Sequence, residues 1–217
     1  MKAEIIAVGT EILLGDILNT NAQYLSKELA QLGIEVYFQT VVGDNPKRLK
    51  DTIFQAFSRA DLIITTGGLG PTEDDLTKET AAEYFGEELV LDERALGRIE
   101  KYFKRTGRTM TENNRKQAMV PKEHGIVLYN DNGTAPGIIM EKNGKIIAML
   151  PGPPKETMPM FENQVKPYLQ KKQEYTFVSE ILRVASVGES AMETLVKDII
   201  DAQTNLSLIH ISEPTRA

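Results

Sequence analysis

Apolar positions along the first 170 residues switch between two periods. Ala3 to Val8 (AEIIAV) is a compact apolar run that ends at Gly9, the pattern of a strand buried on both faces. From Asn19 to Leu32, Ala22, Leu25, Leu29 and Leu32 recur at helical spacing, and Gly33 stops the helix. Ile34 to Val42 is β-branched and aromatic and ends at Gly43-Asp44-Asn45. Pro46 then suits the first turn of a helix whose apolar face is Leu49, Ile53, Ala56 and Phe57. Asp61 to Thr66 (DLIITT) is a third strand, ending at Gly67-Gly68, and Leu76 to Phe85 and Glu93 to Phe103 read as helices. Further on, GIIMEK and KIIAML flank Asn143-Gly144, a hairpin signal because both turn residues need positive φ. Pro153 to Leu169 closes the region as a helix through Met158, Phe161, Val165 and Leu169.

Strand, helix, strand, helix, strand implies parallel strands joined by right-handed crossovers. The expected fold is a three-layer α/β/α sandwich over 1–170, with a mostly parallel sheet and a C-terminal β-hairpin. After Gln170 the character changes. Residues 171–174 read as a linker, Phe177 to Val187 as a strand and Glu189 to Ile200 as an amphipathic helix. One strand and one helix bury no core alone. Residues 171–205 are therefore expected to be an incomplete second module of α+β type. The stretch 206–217 (LSLIHISEPTRA) continues neither period and is expected to be a non-native tail.

Composition narrows the classes. The chain has 217 residues, 41% apolar and 26% charged, ordinary globular usage that argues against disorder. With 25 Lys+Arg against 31 Asp+Glu the net charge is −6, poor for generic nucleic-acid binding, which needs clustered cations. No run approaches the roughly 18 apolar residues of a membrane span, and no signal peptide is visible, so a cytoplasmic setting is expected. Zero Cys excludes disulfides, thiolate zinc sites and a Cys nucleophile, and two His exclude a multi-histidine metal centre.

Ligands of open α/β sheets sit beyond the carboxyl ends of the strands. The segment there with most chemical content is Thr65-Thr66-Gly67-Gly68-Leu69-Gly70-Pro71-Thr72-Glu73-Asp74-Asp75-Leu76-Thr77. Its glycines let backbone N–H groups approach a phosphate, and a helix N-terminus follows. Its acids repel phosphate unless a divalent cation bridges them. The alternative is a plain turn whose acids cap the helix. It is neither a Walker loop nor a dinucleotide fingerprint. Asp44 and Glu11 carry the same ambiguity, Asp44 as a cap of the helix at Pro46 or as a ligand-site acid. Asn132-Gly133-Thr134-Ala135-Pro136-Gly137 and Pro151-Gly152-Pro153-Pro154-Lys155-Glu156 add two flexible turns. Arg115 and Lys116 are placed to reach a phosphate. His124 reads as a surface turn residue, and Lys101, Lys104, Arg105 and Arg108 as a solvated helix face.

Together these segments resemble a known family. TTGGLGPTEDDLT is similar to the signature of molybdopterin-binding (MoaB/Mog-like) domains. GTEILLGDILNTNAQYLS, VVGDN, NGTAPG and PGPPKE narrow the resemblance to the CinA branch, the competence/damage-inducible proteins. It runs from Met1 to about Asn205. Full-length relatives carry this α/β domain, a small KH-like domain and a C-terminal nicotinamide mononucleotide deamidase domain. The resemblance thus implies a KH-like part beginning near Phe177 and no deamidase activity for these residues. Relatives of the first domain hydrolyse the pyrophosphate of ADP-ribose, and cousins act on FAD, with a divalent cation (Mg or Co) and potassium. Classical MoaB/Mog relatives bind or adenylylate molybdopterin.

The resemblance implies a metal-dependent nucleotide pyrophosphatase acting on an ADP-ribose-like dinucleotide. Asp75 and Asp44 would hold the metal, and Thr66, Gly67, Gly68 and Gly70 would cradle a phosphate. Glu11 or Asp74 would act as base or supporting acid. Gly133, Thr134, Gly152 and Pro153 would line the ligand. A homodimer is expected, with no membrane or nucleic-acid partner. Two alternatives stay open: a molybdopterin-binding or -adenylylating domain, and a non-catalytic interaction module in competence.

Overall fold

The computed structural model describes residues 1–173, 184 and 186–202. The chain divides into two units, Met1–Val178 and Ser179–Ala217. The first unit opens with β1 (Lys2–Val8), α1 (Thr10–Leu13), α2 (Thr20–Gln31), β2 (Glu35–Val42), α3 (Pro46–Arg59) and β3 (Leu62–Thr66). It continues through α4 (Thr77–Phe85), β4 (Leu89–Leu91), α5 (Glu93–Thr106), a 3-10 turn (Glu112–Ala118), β5 (Met119–Pro121) and β6 (Gly125–Leu128). It closes with β7 (Gly137–Lys142), β8 (Lys145–Leu150), α6 (Pro154–Met160), a π segment (Phe161–Val165) and α7 (Lys166–Gln170). The second unit carries α8 (Glu189–Ala202), two residues longer than the helix expected from the sequence. The strand expected over Phe177–Val187 falls largely outside the described residues, and the tail 206–217 wholly outside.

The main sheet has the order β2-β1-β3-β8-β7-β6. β2, β1, β3 and β8 run parallel, and β7 and β6 are added antiparallel. The hairpin β7–β8 turns at Asn143 (φ 54°) and Gly144 (φ 75°), the two positive φ values that the Asn-Gly pair is suited to. Because β8 inserts beside β3, this hairpin is part of the main sheet rather than an appendage.

Alternation along the strands splits the core into two layers. Ile5, Leu62, Ile64 and Ala148 face α2 and the closing helix through Leu25, Leu29, Phe161 and Val165. Ile6, Ile63, Ile147 and Met149 face α3 and α4 through Leu49, Ile53, Phe57 and Ala81. A smaller cluster under α5 joins Ala95, Leu96, Ile99 and Ala118. One charge interrupts the β1 run. Glu4 is fully buried, and its carboxylate accepts two bonds of 2.8 Å from the Arg59 guanidinium and one of 2.7 Å from the Thr40 hydroxyl. That pairing offsets the cost of desolvating the carboxylate.

Four features depart from the sequence reading. The small antiparallel pair β4–β5 was not expected, nor was β6 at the sheet edge. The closing helix passes through a π segment between Pro159 and Pro167, which lack the N–H groups that regular α bonding would use. The cap of α3 is Asn45, whose side chain accepts from the Arg48 N–H at 3.0 Å, and not Asp44.

Candidate functional site

The carboxyl ends of β1, β3 and β8 lie side by side, and β3 leaves the sheet there through Gly67 and Gly68. The Gly67 N–H donates to the Leu150 carbonyl at 3.0 Å, continuing the β3–β8 ladder. Its φ is +100°, and a Cβ there would stand 2.2 Å from the Val8 carbonyl oxygen. Gly68 has φ +67°, and a Cβ there would meet the Thr77 hydroxyl at 2.1 Å. That hydroxyl donates to the Gly67 carbonyl at 3.1 Å, and the Thr77 N–H to the Gly68 carbonyl at 3.1 Å. Glycine is thus required twice, by backbone conformation and by contact. The expectation that Gly67 offers its N–H to a phosphate is corrected, since that N–H is committed to the sheet. The amides of Gly68 and Gly70 have no protein acceptor among the described residues. Thr66 is buried at the end of β3.

The acids that follow do not cap α4, whose N-cap position is Leu76 and lacks a side-chain cap bond. Two of them, Asp74 and Asp75, gather on Thr72 instead. The Asp75 carboxylate accepts from the Thr72 N–H at 3.0 Å, and the Thr72 hydroxyl lies between the Asp74 and Asp75 carboxylates, with one proton to donate to either. Gly70 leaves room for this, since a Cβ there would lie 2.3 Å from Asp75 Oδ2. Bonding to Thr72 holds the exposed Asp74 carboxyl below its usual range.

Three further segments close on this loop. Lys116, in the 3-10 turn, donates from Nζ to the Thr72 carbonyl at 2.7 Å and to the Asp75 carbonyl at 2.6 Å. The buried Lys78 ammonium donates to the Lys116 carbonyl at 2.7 Å, and burial lowers its pKa to about 8. Gln117 reaches the Thr134 hydroxyl at 3.1 Å and the Leu69 carbonyl at 3.5 Å, tying the Asn132–Gly137 loop to the glycine loop. The Pro151–Glu156 segment abuts from the third side, as a Cβ on Gly152 would lie 3.7 Å from Gly67 Cα. Asn21 of α2 holds that segment by donating to the Gly152 carbonyl at 2.7 Å. Pro153 follows as the residue before α6. Glu156 accepts from Asn130 at 2.8 Å and fills the space a Cβ on Gly133 would need. Burial pushes the Glu156 carboxyl up.

The remaining candidates form a separate knot. Asp44 accepts from the Thr10 N–H at 2.9 Å, and the Asp44 N–H donates to the Thr10 hydroxyl at 3.1 Å. The link fastens the end of β2 to the end of β1, where Glu11 lies in the first turn of α1 and remains exposed. Asp44 and Asp75 share no hydrogen-bond partner. Among the described residues no group of three or more His, Cys, Asp or Glu side chains is placed to hold a metal ion. His124 pairs with the Glu87 carboxylate beside β4. Lys101, Lys104, Arg105 and Arg108 are exposed.

Lys78, Gln117 and Asn130 were not singled out by sequence reasoning, and Asn21 and Glu156 were named only inside longer segments, with no role of their own. The one local signal was the polar run Asn113–Gln117 between apolar segments.

The comparisons with known proteins fit this architecture. The sequence profile of a family described as "Probable molybdopterin binding domain" matches residues 4–171. The crystal structure of the protein CinA from Thermoplasma acidophilum superposes with a TM-score of 0.70 at 36% identity, covering 77% of this chain and 98% of that one. The chain belongs to the CinA family. A CinA-like protein of Dictyoglomus turgidum is 60% identical over 205 residues, 94% of this chain and 50% of the relative. The chain therefore spans about half the length of the curated CinA relatives it matches. A molybdopterin biosynthesis protein from Mycobacterium abscessus shares the fold, with a TM-score of 0.50 at 15% identity, covering 79% of this chain and 92% of that one. The first unit is thus a MoaB/Mog-like α/β domain of the CinA family. No helix among the described residues is long and apolar enough to cross a membrane.

Proposed function

We propose that the first unit binds a phosphorylated pterin of the molybdopterin class at the carboxyl ends of β1, β3 and β8. The observation that carries this reading is the convergence of the Gly67–Asp75, Asn132–Gly137 and Pro151–Glu156 loops, tied by Gln117 and packed Gly67 against Gly152. Free amides at Gly68 and Gly70 suit a phosphate. Two polar atoms nearby support a bound ligand or water: Asn21 Oδ1 and Thr65 Oγ1 are buried without a protein partner. The description of the matched family points to the same ligand class.

A second reading is hydrolysis of a nucleotide pyrophosphate such as that of ADP-ribose, with a divalent cation and potassium. It is favoured by the two carboxylates, Asp74 and Asp75, set inside the phosphate-facing loop. No protein-only cage is built here, but magnesium commonly takes one or two carboxylates plus phosphate oxygens and water. Asp74 and Asp75 suit that role together better than Asp75 with Asp44, because both bond the same Thr72, whereas Asp44 is fastened to Thr10. Such a cation would neutralise charge on the phosphates.

Calorimetric titration with a phosphorylated pterin and with ADP-ribose, each with Mg²⁺ or Co²⁺ and K⁺, separates the readings when products are followed by chromatography. Saturable pterin binding with ADP-ribose left intact supports the first. AMP plus ribose 5-phosphate, lost on chelation, would move the assignment to the second. Binding of neither would overturn both in favour of an interaction module.

A further inference from the structure

A second concavity, with a volume of about 300 Å³, opens between α5 and the closing helix. Its lining includes Arg94, Arg98, Tyr129, Asn130, Glu156 and Gln164, with the Asp131 carboxylate beside Arg98. The Arg94 guanidinium lies 4.2 Å from the centre of the Tyr129 ring. Tyr129 is itself fixed, because Gln164 donates to its carbonyl at 3.0 Å. Arg98 pairs with Asp131 and reaches the Asn130 carbonyl at 3.4 Å, while its Nε is buried without a partner. Arg94 has no carboxylate at ion-pair distance among the described residues. It is held by an aromatic face and presents donors that no acid among the described residues satisfies.

Across the cleft, Glu156 and Asn130 form a hydrogen-bonded pair with spare acceptor capacity. The pair is anchored, since the Asn130 amide also donates to the Ala135 carbonyl at 2.9 Å. Glu156 packs against Gly133, so the cleft and the glycine-loop site share the Asn132–Gly137 loop as a wall. Cationic donors at one side and hydroxyl acceptors at the other are the groups that a phosphorylated sugar requires.

We propose that this cleft binds a sugar phosphate, with Arg94 and Arg98 on the phosphate and Glu156 and Asn130 on the hydroxyls. The site stands whichever ligand the glycine loop takes. It assigns a role to Arg94, which lies over Tyr129 and has no acidic partner among the described residues.

The test is an NMR titration of the full ¹⁵N-labelled chain with ribose 5-phosphate, ribose and inorganic phosphate as probes. Ribose 5-phosphate is expected to give saturable shifts at the amides of Tyr129, Asn130 and Gln164. Arg94→Gln should weaken its binding by about tenfold or more, the loss of one charged partner. Arg94→Lys should recover part of the loss, and Lys101→Gln, an exposed change on the same helix, should leave binding unchanged. The proposal is overturned by an absence of saturable shifts up to about 10 mM, or by equal binding to Arg94→Gln. Equal affinity for inorganic phosphate would overturn the sugar assignment. Shifts confined to Gly68 and Gly70 would place the probe in the other site.

Discussion

The Lys116 ammonium lies 2.6 Å from the backbone carbonyl of Asp75. It holds the acid loop from outside, with a second bond to the Thr72 carbonyl and Lys78 braced behind it. Lys116→Met removes both charge-assisted bonds at once. The loop then loses the strut that fixes where Asp74 and Asp75 point. Affinity for a phosphorylated ligand should fall about tenfold, the equivalent of one charge-assisted bond. Calorimetry checks this, and unchanged affinity would contradict the role.

Asp75→Asn keeps an acceptor for Thr72 but removes the charge. Metal-supported binding, and any turnover of ADP-ribose, should be abolished. The melting temperature should stay within about 3 °C, the shift expected for roughly 1 kcal/mol in a domain of this size. Activity near the unmodified rate would exclude Asp75 from the chemistry.

Gly68→Ala meets strain from two sources, φ +67° and the Thr77 hydroxyl 2.1 Å from the new methyl. Destabilisation of about 2 kcal/mol is expected, read by urea unfolding. Gly144→Ala is the useful comparison. Its φ is +75° but nothing lies within 4 Å of the new atom, so only the conformational cost should appear.

Lys78 gives stability a specific pH dependence. Its folded pKa is lowered to about 8 from 10.5, chiefly by burial. Between those values the unfolded chain holds a proton that the folded chain has released. Unfolding then takes up a proton, so the stability contributed at this position rises with pH from about 8 to about 10.5. The full effect is on the order of 3 kcal/mol. The difference in unfolding free energy between the natural chain and Lys78→Met, followed over that range, should show this positive slope. A flat difference would mean that Lys78 stays charged until its ordinary pH.

Much of the fold was legible because its elements are long enough to show a period. The Val8, Val42 and Thr66 strand ends all fall at glycine, and Asn143-Gly144 marks the hairpin. β4 and β5 have three residues each, too few for alternation to register. Glu4 hid in an apolar run because its partners, Arg59 and Thr40, are distant in sequence. At the site, the glycine loops were visible because positive φ leaves few other residues possible. The braces were not. Lys116 acts 41 residues from Asp75 and Asn21 acts 131 residues from Gly152, separations that no local spacing encodes. Asp44 stayed ambiguous between cap and ligand-site acid because Asn45, one residue on and the actual cap, offers the same chemistry.

The most direct test of the central claim is a ligand-bound crystal structure of the chain with a phosphorylated pterin and Mg²⁺. The phosphate should lie within hydrogen-bond distance of the Gly68 and Gly70 amides, and Asn21 Oδ1 should gain a partner. A ligand seated elsewhere, with the three-loop site holding only water, would contradict the account.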